Sequence, residues 1–265
     1  MKKLVASLFV SLIAISAIHA QSKTAPKDSV KIRKAITTAQ PKPIAPAKDW
    51  SKVNLSNRPA DHFMVQYGYD GWSGRPDSIR TKGFGRHFNF YVMFDKPFKT
   101  NLHYSVAYGA GIGSSNIFFD KEMVNLAGTG STLPFTDGSN GDHFNKFKLT
   151  NIYLEIPAEL RFYENPENTN SGWKAALGIK VGTLIKSYTK GKNWENAAGA
   201  SYYGTGYIQK VSNKRFINGT KVAVSGRVGY GVFSLHGEYN ILGVIKNGYG
   251  PTINSYSIGI SIGGL

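Results

Sequence analysis

From residue 61 onward the chain alternates apolar residues with small or polar ones at a period of two, and the pattern recurs eight times. Successive side chains on a β-strand point to opposite faces, whereas a helix repeats every 3.6 residues. The chain therefore predicts two-faced strands and no amphipathic helices. In the first segment Phe63, Val65, Tyr67 and Tyr69 oppose Met64, Gln66, Gly68 and Asp70. In the second, Phe88, Phe90, Val92 and Phe94 oppose Asn89, Tyr91, Met93 and Asp95. The remaining segments are 102–112, 152–162, 173–182, 222–230, 233–241 and 256–263. The third places Leu102, Tyr104, Val106, Tyr108 and Ile112 on its apolar face.

A soluble sandwich also alternates, so the solvent of each face has to be argued separately. The apolar faces are long enough to cross a bilayer at a tilt, which takes about 9–11 residues. Aromatics, 13% of the chain, gather toward segment ends as an interfacial girdle requires. The opposite faces carry Gly and Ser with a few charges, which suits a narrow polar lumen. The connections run 71–83, 96–101, 114–147, 164–172, 187–216, 231–232 and 243–254. Long and short alternate, as in barrels with short periplasmic turns and longer external loops. These observations predict an all-β, eight-stranded, antiparallel, up-and-down transmembrane β-barrel over 61–265 with both termini on the periplasmic side.

The N-terminal residues read as a signal peptide over 1–20. Lys2 and Lys3 precede the apolar stretch Leu4 to Ile18, and Ala17-Ile18-His19-Ala20 offers a small-residue cleavage site. The expected mature chain begins at Gln21. Residues 21–60 are rich in Lys, Ala, Pro and Ser, without periodicity, and read as a flexible basic periplasmic leader. The chain has no cysteine, so neither disulfides nor thiolate metal sites hold it together. A net charge of +16 points to anionic lipid surfaces, since export argues against nucleic acid.

The stretches GRHFNFYVMFDKPFKTNLHYSVAYGAGIGSSNIFFD (85–120), KLTNIYLEIPAELRF (148–162) and GYGPTINSYSIGISIGGL (248–265) resemble the outer-membrane β-barrel family that includes PorT-like proteins. The resemblance covers about residues 50 to 265. It implies one small barrel in the outer membrane and, for some members, an accessory role in a protein-secretion machine.

On the inward parity, segments four to seven collect Glu155, Glu159, Arg161, Lys180, Arg227, His236 and Glu238. Eight strands enclose an interior just wide enough for side chains to fill, so these charges are expected to pair and plug the lumen. The other reading is a selectivity or proton site. No catalytic constellation stands out: Glu155 and Glu159 share a face, but charge pairing explains them, and neither G-x-S-x-G nor H-E-x-x-H occurs. Gly109, Gly111 and Gly113 are read as relief of crowding inside the barrel rather than as a phosphate loop. Neither metal nor cofactor is expected.

External loops 114–147 and 187–216 carry Phe118, Phe119, Phe135, Trp194, Tyr202, Tyr203 and Tyr207. Rings among polar residues on a rigid scaffold suit binding, and equally suit packing of the loops on themselves. The expected function is a non-enzymatic structural or surface-binding barrel. Its partners would be outer-membrane lipid, lipopolysaccharide and an envelope or secretion-machine protein. Alternatives are a secretion accessory, a small porin-like channel and a lipid-modifying membrane enzyme.

Overall fold

The structure, a computed structural model, describes Trp50, Val53, Leu55, Arg58 and residues 62–264. The expected signal peptide and nearly all of the leader lie outside the described residues. Eleven strands follow in order: β1 (Phe63–Ser73), β2 (Gly85–Pro97), β3 (Tyr104–Phe119), β4 (Glu122–Val124), β5 (Phe135–Asp137), β6 (His143–Tyr163), β7 (Trp173–Glu195), β8 (Ile208–Ser212), β9 (Thr220–Tyr230), β10 (Phe233–Asn240) and β11 (Asn254–Gly263).

Eight of them close into a ring of antiparallel neighbours, β1-β2-β3-β6-β7-β9-β10-β11, and β11 returns to β1 from Met64 opposite Gly263 to Ser73 opposite Asn254. Each of the eight alternating segments lies on one of these strands. The closure matters because a barrel leaves no unpaired edge, and lipid offers no water to satisfy one.

The side-chain pattern is inverted relative to a soluble protein. Leu177 is 73% exposed, Leu235 68% and Ile156 62%, while Arg161 and Lys180 are buried at 1%. Phe88, Phe94, Tyr108, Ile112, Val228, Tyr230 and Ile260 continue the exposed apolar face around the ring. A contiguous apolar surface of this extent is far beyond what a monomer keeps in water. Hydrocarbon is the solvent that makes it stable.

Two differences from the sequence reading concern strand ends. Leu102 precedes β3 and is buried in the turn, where the His103 amide donates to Asn101 Oδ1 at 3.0 Å and ends the alternation. More consequentially, β3, β6 and β7 run well past their expected ends, and β6 and β7 reach 21 and 23 residues. At about 3.3 Å per residue such strands span ~70 Å, more than twice a hydrocarbon core of about 30 Å. Their upper halves therefore stand outside the bilayer. The expected loops 114–147 and 187–216 shrink to 120–142, holding the β4–β5 hairpin, and 196–219, holding β8. Alternation continues in the extensions, but lysines replace the apolar residues that revealed it lower down.

A charge placed on the outer face separates lipid from water as its solvent. Leu177→Arg is expected to lower barrel stability in urea unfolding from lipid vesicles by about 2–4 kcal/mol. A change under 0.5 kcal/mol, typical of a water-exposed site, would contradict membrane burial.

Candidate functional site

The inner face of the ring holds two clusters of buried charge. At the short-turn end, Glu159 sits between Arg161 Nε at 2.9 Å and Arg227 Nη2 at 2.8 Å. Arg161 also reaches Asp95 at 3.7 Å, and Asp95 accepts from Ser105 Oγ and from Arg58 Nη2, both at 2.5 Å. At mid-height, Lys221 bridges Glu155 at 2.8 Å and Glu238 at 2.6 Å. Lys180 Nζ donates to Glu238 at 2.7 Å, to Gln66 at 2.9 Å and to Tyr91 Oη at 3.0 Å, while Tyr91 donates to Glu155 at 2.5 Å.

Beside the second cluster, His87 Nε2 and His236 Nε2 lie 2.8 Å apart, and Asp70 is 2.9 Å from His87 Nδ1 and accepts from Ser257 Oγ at 2.5 Å. The mid-height cluster is balanced, with Lys180 and Lys221 against Glu155 and Glu238, while the lower one sets Arg58, Arg161 and Arg227 against Asp95 and Glu159. Asp70 pairs with His87, and Lys174 is also buried on the inner face. An isolated ion in such a place costs several kcal/mol, and mutual pairing with added hydrogen bonds offsets that cost.

Three small residues make room for this packing. A Cβ on Gly109 would meet Met93 Sδ at 2.7 Å, on Gly111 the Tyr91 ring at 2.5 Å, and on Gly113 the Glu155 carboxylate at 2.5 Å. The glycines are thus the space into which Tyr91 and Glu155 fit. The free volume left in the upper lumen, among Asp70, His87, Asn89, Tyr153 and Lys221, is about 30 Å³. That is room for about two ordered waters.

Above the bilayer the long connections fold against one another. Trp72, Ile79, Phe119, Leu126, Leu133, Phe144, Phe147, Phe216, Ile217 and Ile253 form a buried apolar core drawn from all four external loops and the strand extensions. Backbone bonds tie the loops together, from Leu133 N to Tyr249 O at 2.7 Å, from Asn218 N to Val244 O at 2.8 Å and from Lys246 N to Phe216 O at 2.9 Å. Glu122 is buried in this cap, and burial raises its pKa although the Arg80 amide donates to it. The loops form a folded lid over the barrel mouth.

The structure brings all seven lumen residues named from the sequence, Glu155, Glu159, Arg161, Lys180, Arg227, His236 and Glu238, onto the buried inner face. It adds Asp70, His87, Tyr91, Asp95, Lys221 and Arg58. The first four lie on the inward parity of β1 and β2, so the same alternation pointed to them. Lys221 falls one residue before the expected strand, and Arg58 falls within the expected flexible leader. Arg58 is instead fixed at the short-turn end, over the Tyr163 ring at 5.2 Å and donating to Pro166 O at 3.2 Å. Trp50 meets His103 edge to face at 5.2 Å.

The aromatic loop candidates divide. Phe119 is buried in the cap, and Phe135, Trp194 and Tyr207 pack against it, so these rings serve the loop core rather than an open binding surface. The polar sequence around them hid that packing. Tyr202 and Tyr203 remain exposed, with Tyr202 donating to Asp142 at 3.0 Å, a bond that raises its pKa. Phe118 faces outward below Arg86, 5.6 Å from the ring centre, and beside Lys148 at 5.9 Å. Among the described residues no group of three or more His, Asp and Glu has metal-binding geometry.

Residues 61–264 match the family described as outer membrane protein beta-barrel domain. No curated protein sequence matches the chain. Among solved structures the chain is similar to Ail, the attachment invasion locus protein of Yersinia pestis, determined with the heparin analogue sucrose octasulfate. The two share 11% identity over 76% of this chain and 96% of that one, at a TM-score of 0.32.

Removing one member of a buried ion cluster strands its partners. Glu159→Gln is expected to destabilise the barrel by about 3–5 kcal/mol, because Arg161 and Arg227 lose a shared carboxylate. The double variant Glu159→Leu/Arg227→Met should cost less than its two single changes added together. Denaturant unfolding in micelles of the wild type, Glu159→Gln, the two single changes Glu159→Leu and Arg227→Met, and their double variant checks both expectations.

Proposed function

Because the chain belongs to the outer membrane protein beta-barrel domain family, we propose that it is a sealed, non-enzymatic outer-membrane barrel whose role is structural or surface-binding. The supporting observation is the lumen. Buried ion pairs at two levels fill an interior that eight strands already make narrow, and a folded apolar lid covers the external mouth. An ion crossing it would have to break buried pairs, and a substrate would find no cleft among them. The exposed external surface, with Tyr202 and Tyr203 at its edge, is what such a barrel offers to other molecules. Export by cleavage after Ala20 belongs to the same proposal.

Purified full-length protein in planar bilayers is expected to show no steady conductance at moderate voltage. Persistent single-channel steps would overturn the sealed reading and restore the porin-like one.

One observation favours a second reading, that of a PorT-like accessory factor in protein secretion. Arg58 and Trp50 tie the chain just before β1 to the periplasmic end of the barrel, and the basic stretch 21–49 precedes them in sequence. Deleting 21–49 separates the readings. A secretion factor should lose export of its cargo while the barrel still inserts, and a free-standing barrel should leave cargo export unchanged.

A further inference from the structure

The outward face of β3, β6, β7 and β8 carries a ladder of lysines directly above the apolar belt. On β6 the belt residues Ile156 and Leu154 are followed upward by Lys148 and Lys146, and on β7 Val181 and Ile185 are followed by Lys186, Lys190 and Lys192. The strand pairings set Lys148 opposite Lys190, Lys190 opposite Lys210, and Lys146 opposite Lys192. Arg86 joins from β2 across Phe118.

This placement depends on a β-bulge. The β6–β7 register shifts between Ile152 and Tyr153, so that Ile152 faces Lys186, Tyr153 faces Leu184, and Ile185 has no partner. An extra residue reverses which parity faces out beyond it. Below the bulge the even-numbered Lys174 and Lys180 point inward and are buried. Above it the even-numbered Lys186 and Lys192 lie exposed on the outside, with Lys190 half-buried beside them.

Like charges directly opposite on adjacent strands, about 5 Å apart, destabilise a sheet. Here two such rows are stacked. The outward positions of β3, the β6 and β7 extensions and β8 hold no acid, and no ion pair of the described residues reaches these cations. An external anion seated on the rows would offset that cost.

We propose that the ladder of Lys146, Lys148, Lys190, Lys192 and Lys210 is a docking face for the phosphate groups of an acylated glycolipid in the outer leaflet. It rests on the membrane-embedded barrel and names a ligand for its outer surface. The lipid's acyl chains lie along Leu154, Ile112 and Val181, which are exposed beneath the ladder, while its phosphates neutralise the lysines above. A soluble polyanion would need the lysines alone. The adjoining apolar wall is what selects an anion attached to acyl chains. Each lysine near an anionic lipid surface contributes about 1 kcal/mol.

The test uses full-length protein in neutral detergent, titrated with bisphosphorylated lipid A or with its dephosphorylated form, with binding read by native mass spectrometry. The wild type should prefer the phosphorylated lipid, and Lys148→Gln/Lys190→Gln/Lys210→Gln should bind it about 100-fold more weakly. The triple variant should bind dephosphorylated lipid as the wild type does. Lys96→Gln/Lys99→Gln, at the opposite end of the barrel, should leave both affinities unchanged.

Equal binding of the two lipids by the wild type would overturn the proposal whether or not the triple variant folds. So would unchanged binding by a folded triple variant, or equally tight binding of a soluble sulfated oligosaccharide. Conductance is independent of this readout: a conducting barrel with an intact lipid preference would sink the sealed reading alone.

Discussion

Every other feature depends on the pairing of β1 with β11. Within hydrocarbon an unpaired backbone N–H or C=O costs several kcal/mol, because no water competes for it. An eight-stranded sheet can meet that constraint only by closing on itself. The antiparallel match from Met64–Gly263 to Ser73–Asn254 does so, and Gly68 and Gly259 lie opposite each other in the seam. A Cβ on Gly68 would come within 2.4 Å of the Gly259 backbone, so the closing strands approach too closely for side chains there.

Closure at eight strands then dictates the interior. The ring is narrow and largely polar on its inner parity, so charges have to satisfy charges. Lys221 between Glu155 and Glu238, and Glu159 between Arg161 and Arg227, are the two solutions, stacked one above the other. The apolar residues a soluble protein would place inside are on the outside, facing lipid. A large apolar core forms above the bilayer, where water returns and the loops bury Phe119, Phe147, Leu126 and Phe216 against it, while a smaller apolar cluster of Met64, Tyr91, Met93 and Ala107 sits inside the ring.

The barrel was largely legible in the sequence because the period of a strand is short and strict. Eight segments, their inward and outward faces, and the seven buried lumen residues all follow from counting by twos. The reading stopped where alternation lost its apolar signal. Lys221 stands one residue before the alternating segment 222–230, although β9 begins at Thr220, and the partners that Asp95 and Tyr91 meet across the lumen leave no mark on their own strands. Phe119 shows the limit for loops: it follows Ile117 and Phe118 in a short apolar run, but its neighbours in space, Trp72, Phe135 and Phe147, come from three other segments.

What the sequence determined by itself was the two-faced strand, repeated eight times, because alternation needs no knowledge of which strands meet. The tertiary structure alone decided which charge meets which, how the loops fold into a lid, and where Lys186, Lys190 and Lys192 point. Counting by twos from Lys174 and Lys180 would send those lysines into the lumen. A single unpaired residue at Ile185 turns them to the outside, and a bulge exists only in the register between two strands, which neither strand carries alone.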